Sequence, residues 1–190
     1  MDARFTDAAA IRHSLHEPGS FAVLFDRHYD PIWRYLSRRA GAAVADELAG
    51  ETFLRAFAGR ARYDAHQPDA GPWLYGIATN LLRRHARAES RRRRAYARAA
   101  EPEGVDAGAE HVEARVDARL SGVTAALERL QPVDRETLLL FALTELEYAG
   151  IAVATGVPVG TVRSRLHRAR RQLRLELGLE PIPTAEGERP

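Results

Sequence analysis

The stretch TGVPVGTVRSRLHRARRQL (residues 155–173) carries Arg163, Arg165, Arg168, Arg170 and Arg171, is followed at once by Arg174, and holds no acidic residue. Guanidinium groups make forked contacts with phosphates and base edges, so such a run is chemistry suited to a nucleic acid. Its spacing matters as much as its charge. Val162, Leu166, Ala169 and Leu173 step by four, three and four, which lines one helix face with apolar groups and leaves the arginines largely off it. Ahead of it, Gly156 stands where a short helix has to stop in a left-handed conformation. Ala152 is small enough for two helices to cross closely. A short helix, a tight turn and a second helix with one apolar and one basic face match a DNA-binding helix-turn-helix, whose early second-helix residues meet base edges. The competing interpretation is a bundle helix with a solvated back. Such a face usually mixes signs, with glutamates one turn from basic partners, yet no acid occurs before Glu176. Like charges so placed repel one another unless phosphates neutralise them.

A second basic run, residues 83–98, sets Arg83, Arg84, Arg87, Arg91, Arg92, Arg93, Arg94 and Arg98 against Glu89 alone. Arginine runs by themselves are a weak signal, because a frayed helix end reads the same way. The segment leading into this one adds Trp73 and Tyr75, with Tyr63 upstream. Aromatic faces beside a basic track hold single strands by stacking and backbone attraction. Trp73 fits a core position equally well.

Other chemistries are poorly served. There is no cysteine among 190 residues, so disulfides and thiolate chemistry are excluded. Of the seven histidines, only His13 and His16 sit at helical spacing, and two ligands do not make a metal site. No cofactor and no metal is called for. No apolar run reaches membrane-spanning length, and the N-terminus lacks the basic start and apolar block of a signal peptide. A cytoplasmic protein without membrane insertion is expected. All 28 basic residues are arginine and the net charge is only +2. Residues 99–119 reverse the sign, with Glu101, Glu103, Asp106, Glu110, Glu113 and Asp117 against Arg115 and Arg119. Basic, acidic, basic suggests two nucleic-acid-facing modules joined by a segment that is not.

The elements that must position these groups are all helical. Ser20 is expected to N-cap a helix with Phe21, Leu24, Phe25 and His28 on one stripe; Pro31 restarts or kinks it, and Gly41 ends it. A second helix is expected over 44–61, with Leu48, Thr52, Phe53, Ala56 and Phe57 inward. A loop at 62–72 follows, and Pro72 suits the first turn of a third helix. Helical periodicity returns at Val116, Leu120, Val123, Leu127 and Leu130, and Pro132 opens a further helix. The pattern predicts an all-α protein of two small helical domains. Residues 1–19 read as an N-terminal extension, 20–97 as the first domain, 98–115 as a flexible acidic linker, 116–178 as the helix-turn-helix domain, and 179–190 as a disordered tail.

DELAGETFLRAF (46–57), PWLYGIATNLLRRHAR (72–87) and LERLQPVDRETLLLFALTELEYAGIAVATGVPVGTVRSRLHRARRQL (127–173) together resemble the extracytoplasmic-function, or group IV, sigma factors of bacterial RNA polymerase, within the sigma-70 family. The resemblance covers residues 21–177 apart from the acidic segment. It implies a factor that is not an enzyme: it binds polymerase core, recognises the −10 and −35 promoter elements and promotes melting. It also implies that the sigma-2 domain docks on the clamp coiled coil of the largest subunit, that the sigma-4 domain sits on the beta flap, and that the linker threads toward the RNA exit channel. Many members are held inactive by an anti-sigma partner. Carried onto matching positions, Asp46, Glu47, Glu51, Thr52 and Arg55 face the clamp. Tyr63, Asp64, Ala65 and His66 hold an extruded −10 base, with Trp73, Asn80, Arg83, Arg84 and Arg87 along the strand path. Thr161, Arg163, Ser164, Arg165, Arg168 and Arg171 divide between bases and phosphates of the −35 element.

Three positions depart from the family pattern: Gly50 for a glutamine, Gly150 for an acidic residue, and Glu147 for a serine cap. Two other functions are consistent with parts of the sequence. A stand-alone helix-turn-helix regulator would use only the C-terminal half and would bind a palindrome without polymerase. A protein-interaction module would direct its arginines at an acidic partner, and its DNA binding would lack steep salt dependence.

Overall fold

The structure, a computed structural model, describes residues 6–99 and 114–179; the first five residues, most of the acidic segment and the tail from 180 lie outside the described residues. Every regular element among the described residues is helical. The first is α1 (Asp7–Ser14), capped by Thr6, whose hydroxyl accepts the Ala9 amide at 3.2 Å. A 3-10 turn, Pro18–Phe21, leads into α2 (Ala22–Ala40). The structure thus places ordered helix inside the expected extension. Ser20 does not cap α2: it lies in the 3-10 turn and its hydroxyl bonds His13 Nδ1 at 2.8 Å. The α1 helix is only eight residues long and alanine-rich, so it shows no clear stripe, but Ala10 and Ile11 enter the same core as Phe21 and Leu24.

Pro31 is accommodated within a continuous α2, and a turn at Gly41 delivers α3 (Ala42–Gly59). After a 3-10 turn at Arg60–Arg62 and a loop comes α4 (Gly71–Ala99). Leu24, Ile32, Tyr35 and Leu36 of α2 meet Ala45, Leu48, Ala49, Phe53 and Ala56 of α3 and Leu74, Ala78, Leu81 and Leu82 of α4. Phe25 departs from the expected inward stripe: it is 44% exposed and stacks on Tyr29 with ring centroids 4.7 Å apart.

The C-terminal half is α5 (Ala114–Arg129), α6 (Pro132–Leu143), α7 (Tyr148–Thr155) and α8 (Val159–Glu176). Leu140, Ile151, Ala152, Val162, Leu166 and Ala169 form its centre. Val123, expected inward, is 41% exposed. At the end of α7, Gly156 takes φ 68°. The Val157 amide then donates to Ala152 O and the Gly156 amide to Val153 O, at 3.1 and 3.3 Å. This paired arrangement satisfies the terminal carbonyls and sets the turn of the helix-turn-helix.

The two halves touch. α4 packs on α7 so closely that a Cβ on Gly76 would lie 2.8 Å from the Ala154 carbonyl oxygen. Gly150 of α7 sits against Leu146 and Pro72, where a Cβ would come within 3.1 and 3.4 Å of side-chain carbons. A side chain there would require the end of Leu146 to give by a few tenths of an ångström, so the glycine fits the close approach at that position. No such crowding exists at Gly50, whose Cβ would meet nothing within 4 Å. A polar chain also crosses the seam. Glu136 of α6, 6% exposed, accepts from Arg83 of α4 at 2.9 Å and from Arg39 of α2 at 3.5 Å. Arg39 also donates to the Tyr35 hydroxyl at 2.9 Å, which lies 3.0 Å from Thr79 Oγ1.

Candidate nucleic-acid and polymerase interface

The loop at 63–70 is ordered by its own polar residues. Tyr63 folds back to donate its hydroxyl to the carbonyls of Gln67 and Asp69, at 2.7 and 3.1 Å. Burial pushes this phenol up to about 12, and the carboxylates of Asp7, Asp69 and Asp64 add to the effect, so it stays a donor. Asp64 Oδ1 accepts the His66 amide at 3.0 Å, and Asp69 Oδ1 accepts the Gly71 amide at 2.8 Å, closing two Asx turns. Asp64, Ala65 and His66 are left exposed at the tip. Trp73 lies half-buried with its ring centroid 5.0 Å from that of Tyr63, so the indole is neither wholly core nor free. Beyond it Asn80, Arg84 and Arg87 are exposed at helical spacing along α4, whereas Arg83 turns aside to Glu136. The side chains from Arg91 to Arg94 are exposed as well.

On α8 the apolar stripe is buried and the basic groups flank it. Arg163, Ser164, Arg168 and Arg171 are exposed, and Thr161 and Arg165 are half-buried. The arginines are not all uncompensated, as the linear sequence implied. Arg168 makes a fork with buried Asp134 of α6, at 3.0 and 2.8 Å. Arg170 lies over the Phe141 ring at 4.9 Å, a cation–π contact. Both partners come from a helix about thirty residues earlier, beyond the reach of an i,i+4 search.

α3 presents a third surface. Asp46 and Glu47 are exposed, Asp46 accepting the Trp33 indole N–H at 2.6 Å, and Glu51 pairs with Arg55 at 2.6 Å. Thr52 does not join them. It is 0% exposed and donates its hydroxyl to Leu48 O at 2.6 Å, so it belongs to the core.

Two family descriptions match this chain in the same order as these surfaces: Sigma-70 region 2 over residues 24–92 and Sigma-70, region 4 over residues 121–173. Relatives match across most of the chain. The ECF RNA polymerase sigma factor SigC of Mycobacterium tuberculosis (strain CDC 1551 / Oshkosh) is 39% identical over 139 residues, 73% of each chain. The chain belongs to the ECF sigma factors of the sigma-70 family. SigL of the same species (strain H37Rv) is 32% identical over 178 residues, covering 92% of this sigma factor and 96% of SigL. The fold agrees with two solved structures. CnrH in complex with the cytosolic domain of CnrY gives a TM-score of 0.63 at 22% identity, covering 90% of this chain and 97% of that one. The sigma factor RpoE in complex with the anti-sigma factor NepR from Bartonella quintana gives 0.54 at 21%, covering 85% and 98%.

As a sigma factor the protein binds RNA polymerase and recognises promoter DNA, and the family consists of non-enzymatic initiation factors. No helix among the described residues is long and apolar enough to cross a membrane. Sequence reasoning passed over one residue of α3. Leu54, 66% exposed, stands among the charges of the polar face, seven residues after Glu47. A large apolar group at a solvent-facing register position was the available signal.

Proposed function

We propose that this sigma factor grips a promoter at two points while bound to core polymerase, and acts by binding alone, without catalysis, in the cytoplasm where polymerase works. The first domain carries the −10 grip. The Tyr63–Trp73 aromatic pair, the exposed tip at Asp64, Ala65 and His66, and the track of Asn80, Arg84 and Arg87 suit an unpaired strand. Flipping one base costs a few kcal/mol of unstacking, which a stacking pocket beside a basic track offsets. Arg83 joins this track once it leaves Glu136. The helix-turn-helix domain carries the −35 grip, with Thr161, Arg163, Ser164 and Arg165 toward base edges and Arg168 and Arg171 toward phosphates. Asp46, Glu47, Glu51 and Arg55, with Leu54 among them, form the face offered to the polymerase clamp. The acidic segment between the domains serves as the linker. An anti-sigma partner belongs to the proposal by likeness to the RpoE–NepR complex.

The observation that carries this reading is the continuity of the aromatic pair with an exposed polar and basic track on α4, on a helix separate from α8. A duplex reader needs only α8. In vitro transcription tests it: core polymerase plus the purified chain, supplied with a pool of genomic fragments, initiates at discrete positions, and Trp73→Ala abolishes starts on duplex templates while restoring them on pre-melted ones. No discrete start on any fragment would overturn the proposal.

A further inference from the structure

Asp7 lies in the segment expected to be a mere extension, yet it is 5% exposed and fully engaged. Its Oδ1 accepts from Arg27 at 2.8 Å, and its Oδ2 accepts from His28 Nε2 at 2.6 Å and from the Ala70 amide at 2.9 Å. Its own amide donates to the Pro68 carbonyl at 3.1 Å. One residue of α1 thus holds the loop at 63–70 through both backbone and side chain, just where that loop enters α4. Burial alone would push the carboxyl up, but the bonds from His28, Ala70 and Arg27 outweigh it, and Asp7 is held well below the usual carboxylate range. Packing does not require this arrangement. Ala10 and Ile11 already join α1 to the core, and a buried carboxylate is costly unless every oxygen is paired. A metal does not account for it either. Asp7, His28 and Asp69 bring ligand atoms within 4.8 Å of one another, but the Arg27 guanidinium occupies the same carboxylate.

The loop is consequently held at both ends. Tyr63 closes it from within through Gln67 and Asp69, and Asp7 closes it from outside through Pro68 and Ala70. Only the tip at Asp64, Ala65 and His66 remains free of the brace. We propose that Asp7 is a positioning residue for strand capture: α1, through the Asp7 carboxylate, fixes the loop so that its tip and the Trp73 face form a preformed pocket for an unpaired base. The inference rests on the proposed role of this loop in −10 binding. A pocket already ordered before binding avoids the entropy of ordering it with the strand.

The test uses holoenzyme assembled from the full chain and core polymerase. The probe is the non-template strand of the promoter that the transcription experiment maps, with 2-aminopurine at each −10 position in turn. Asp7→Asn keeps the side chain's size but removes a charged acceptor. Its affinity for the strand is expected to fall about tenfold, with core affinity unchanged. Amide exchange at Ala70 should quicken while α3 stays protected. His28→Ala gives a smaller loss, and His28→Gln, which still offers an N–H to the carboxylate, restores capture. These His28 variants carry the test if Asp7→Asn lowers protection in α3. Wild-type capture by Asp7→Asn, or equal losses in both His28 variants, would reduce Asp7 to a folding residue. The paired exposed-tip change Asp64→Ala, His66→Ala separates the two failures. If it weakens capture and the Asp7 and His28 variants do not, the loop's role stands and the brace falls. If it leaves capture unchanged, the loop's role falls and takes the brace with it.

Discussion

α4 and α8 are both arginine-rich helices, but their charge is deployed differently. On α8 the arginines run beside a buried stripe, so packing against α6 and α7 orients them, and Asp134 and Phe141 hold two of them. On α4 the first half is packed and the most basic stretch, from Arg91 on, projects beyond it with exposed side chains. The lesson is that a charge run has meaning only relative to the packed segment that carries it. Arginines held by side-chain partners, Arg168 and Arg170 on α8, present their charge in a fixed geometry. Those on α4 from Arg91 on are exposed on the surface, which in the proposed function suits phosphate attraction without base reading.

The largest expected effect asks whether these helices belong to one cooperative body. Leu74 of α4 and Leu166 of α8 are 0% and 1% exposed. Truncating either to alanine should cost about 2–5 kcal/mol. If the halves unfold together, both changes lower the same denaturant transition; two separate transitions, each shifted by one variant only, would break the comparison into independent domains.

Next comes a contrast within α8. Arg165→Ala should weaken promoter binding by holoenzyme by about 1–3 kcal/mol and relax preference at one base pair, if it reads a guanine edge. Arg168→Ala removes a proposed phosphate contact and leaves Asp134 buried without its fork, so thermal stability should fall and binding should weaken alike on all sequences. Equal, sequence-independent binding losses for the two variants would show that α8 only holds phosphates.

Glu136→Gln probes the polar bridge across the seam. The expected loss is about 1–2 kcal/mol, short of the roughly 3–5 for a fully buried pair, because the Arg83 side chain stays 41% exposed. Small-angle scattering should register a more open chain. Strand binding at low salt should rise as Arg83 is released to the α4 track; unchanged scattering would mean that α4–α7 packing alone holds the halves together.

The last effect is absent at neutral pH and confined to alkali. Tyr35, Tyr63 and Tyr75, all in the N-terminal half, are each pushed up to about 12 by burial. Unfolded phenols titrate near 10, so between about 10 and 12 the folded state binds more protons, and stability falls as pH rises through that window. Tyrosinate absorbance followed alongside circular dichroism checks this. Loosening of the C-terminal half first would contradict it.

Much of this was legible in the sequence because it depends on period and local chemistry. The stripe of Val162, Leu166 and Ala169 reports its own burial, and Gly156 announces its own turn. The α1 helix was not legible, since eight alanine-rich residues carry no periodic signal and Asp7 finds its partners twenty and sixty-three positions away. Thr52 fell between its two expected roles, because its inward register and its place among charged residues pointed opposite ways. Leu54 needed a view of the whole α3 face.

The sequence by itself determined an all-helical chain, a helix-turn-helix ending in a basic helix, an aromatic-basic helix before it, and membership in a family of promoter-recognising factors. Helical period, capping chemistry and charge are properties of neighbours in the chain, so they can be read there. Only the tertiary structure decided which arginines are held, that Glu136 binds one half to the other, that Gly76 and Gly150 keep α4 and α7 close, and that Asp7 clasps the loop before α4. Those outcomes depend on groups brought together from distant positions, where burial makes each carboxylate and each absent Cβ count.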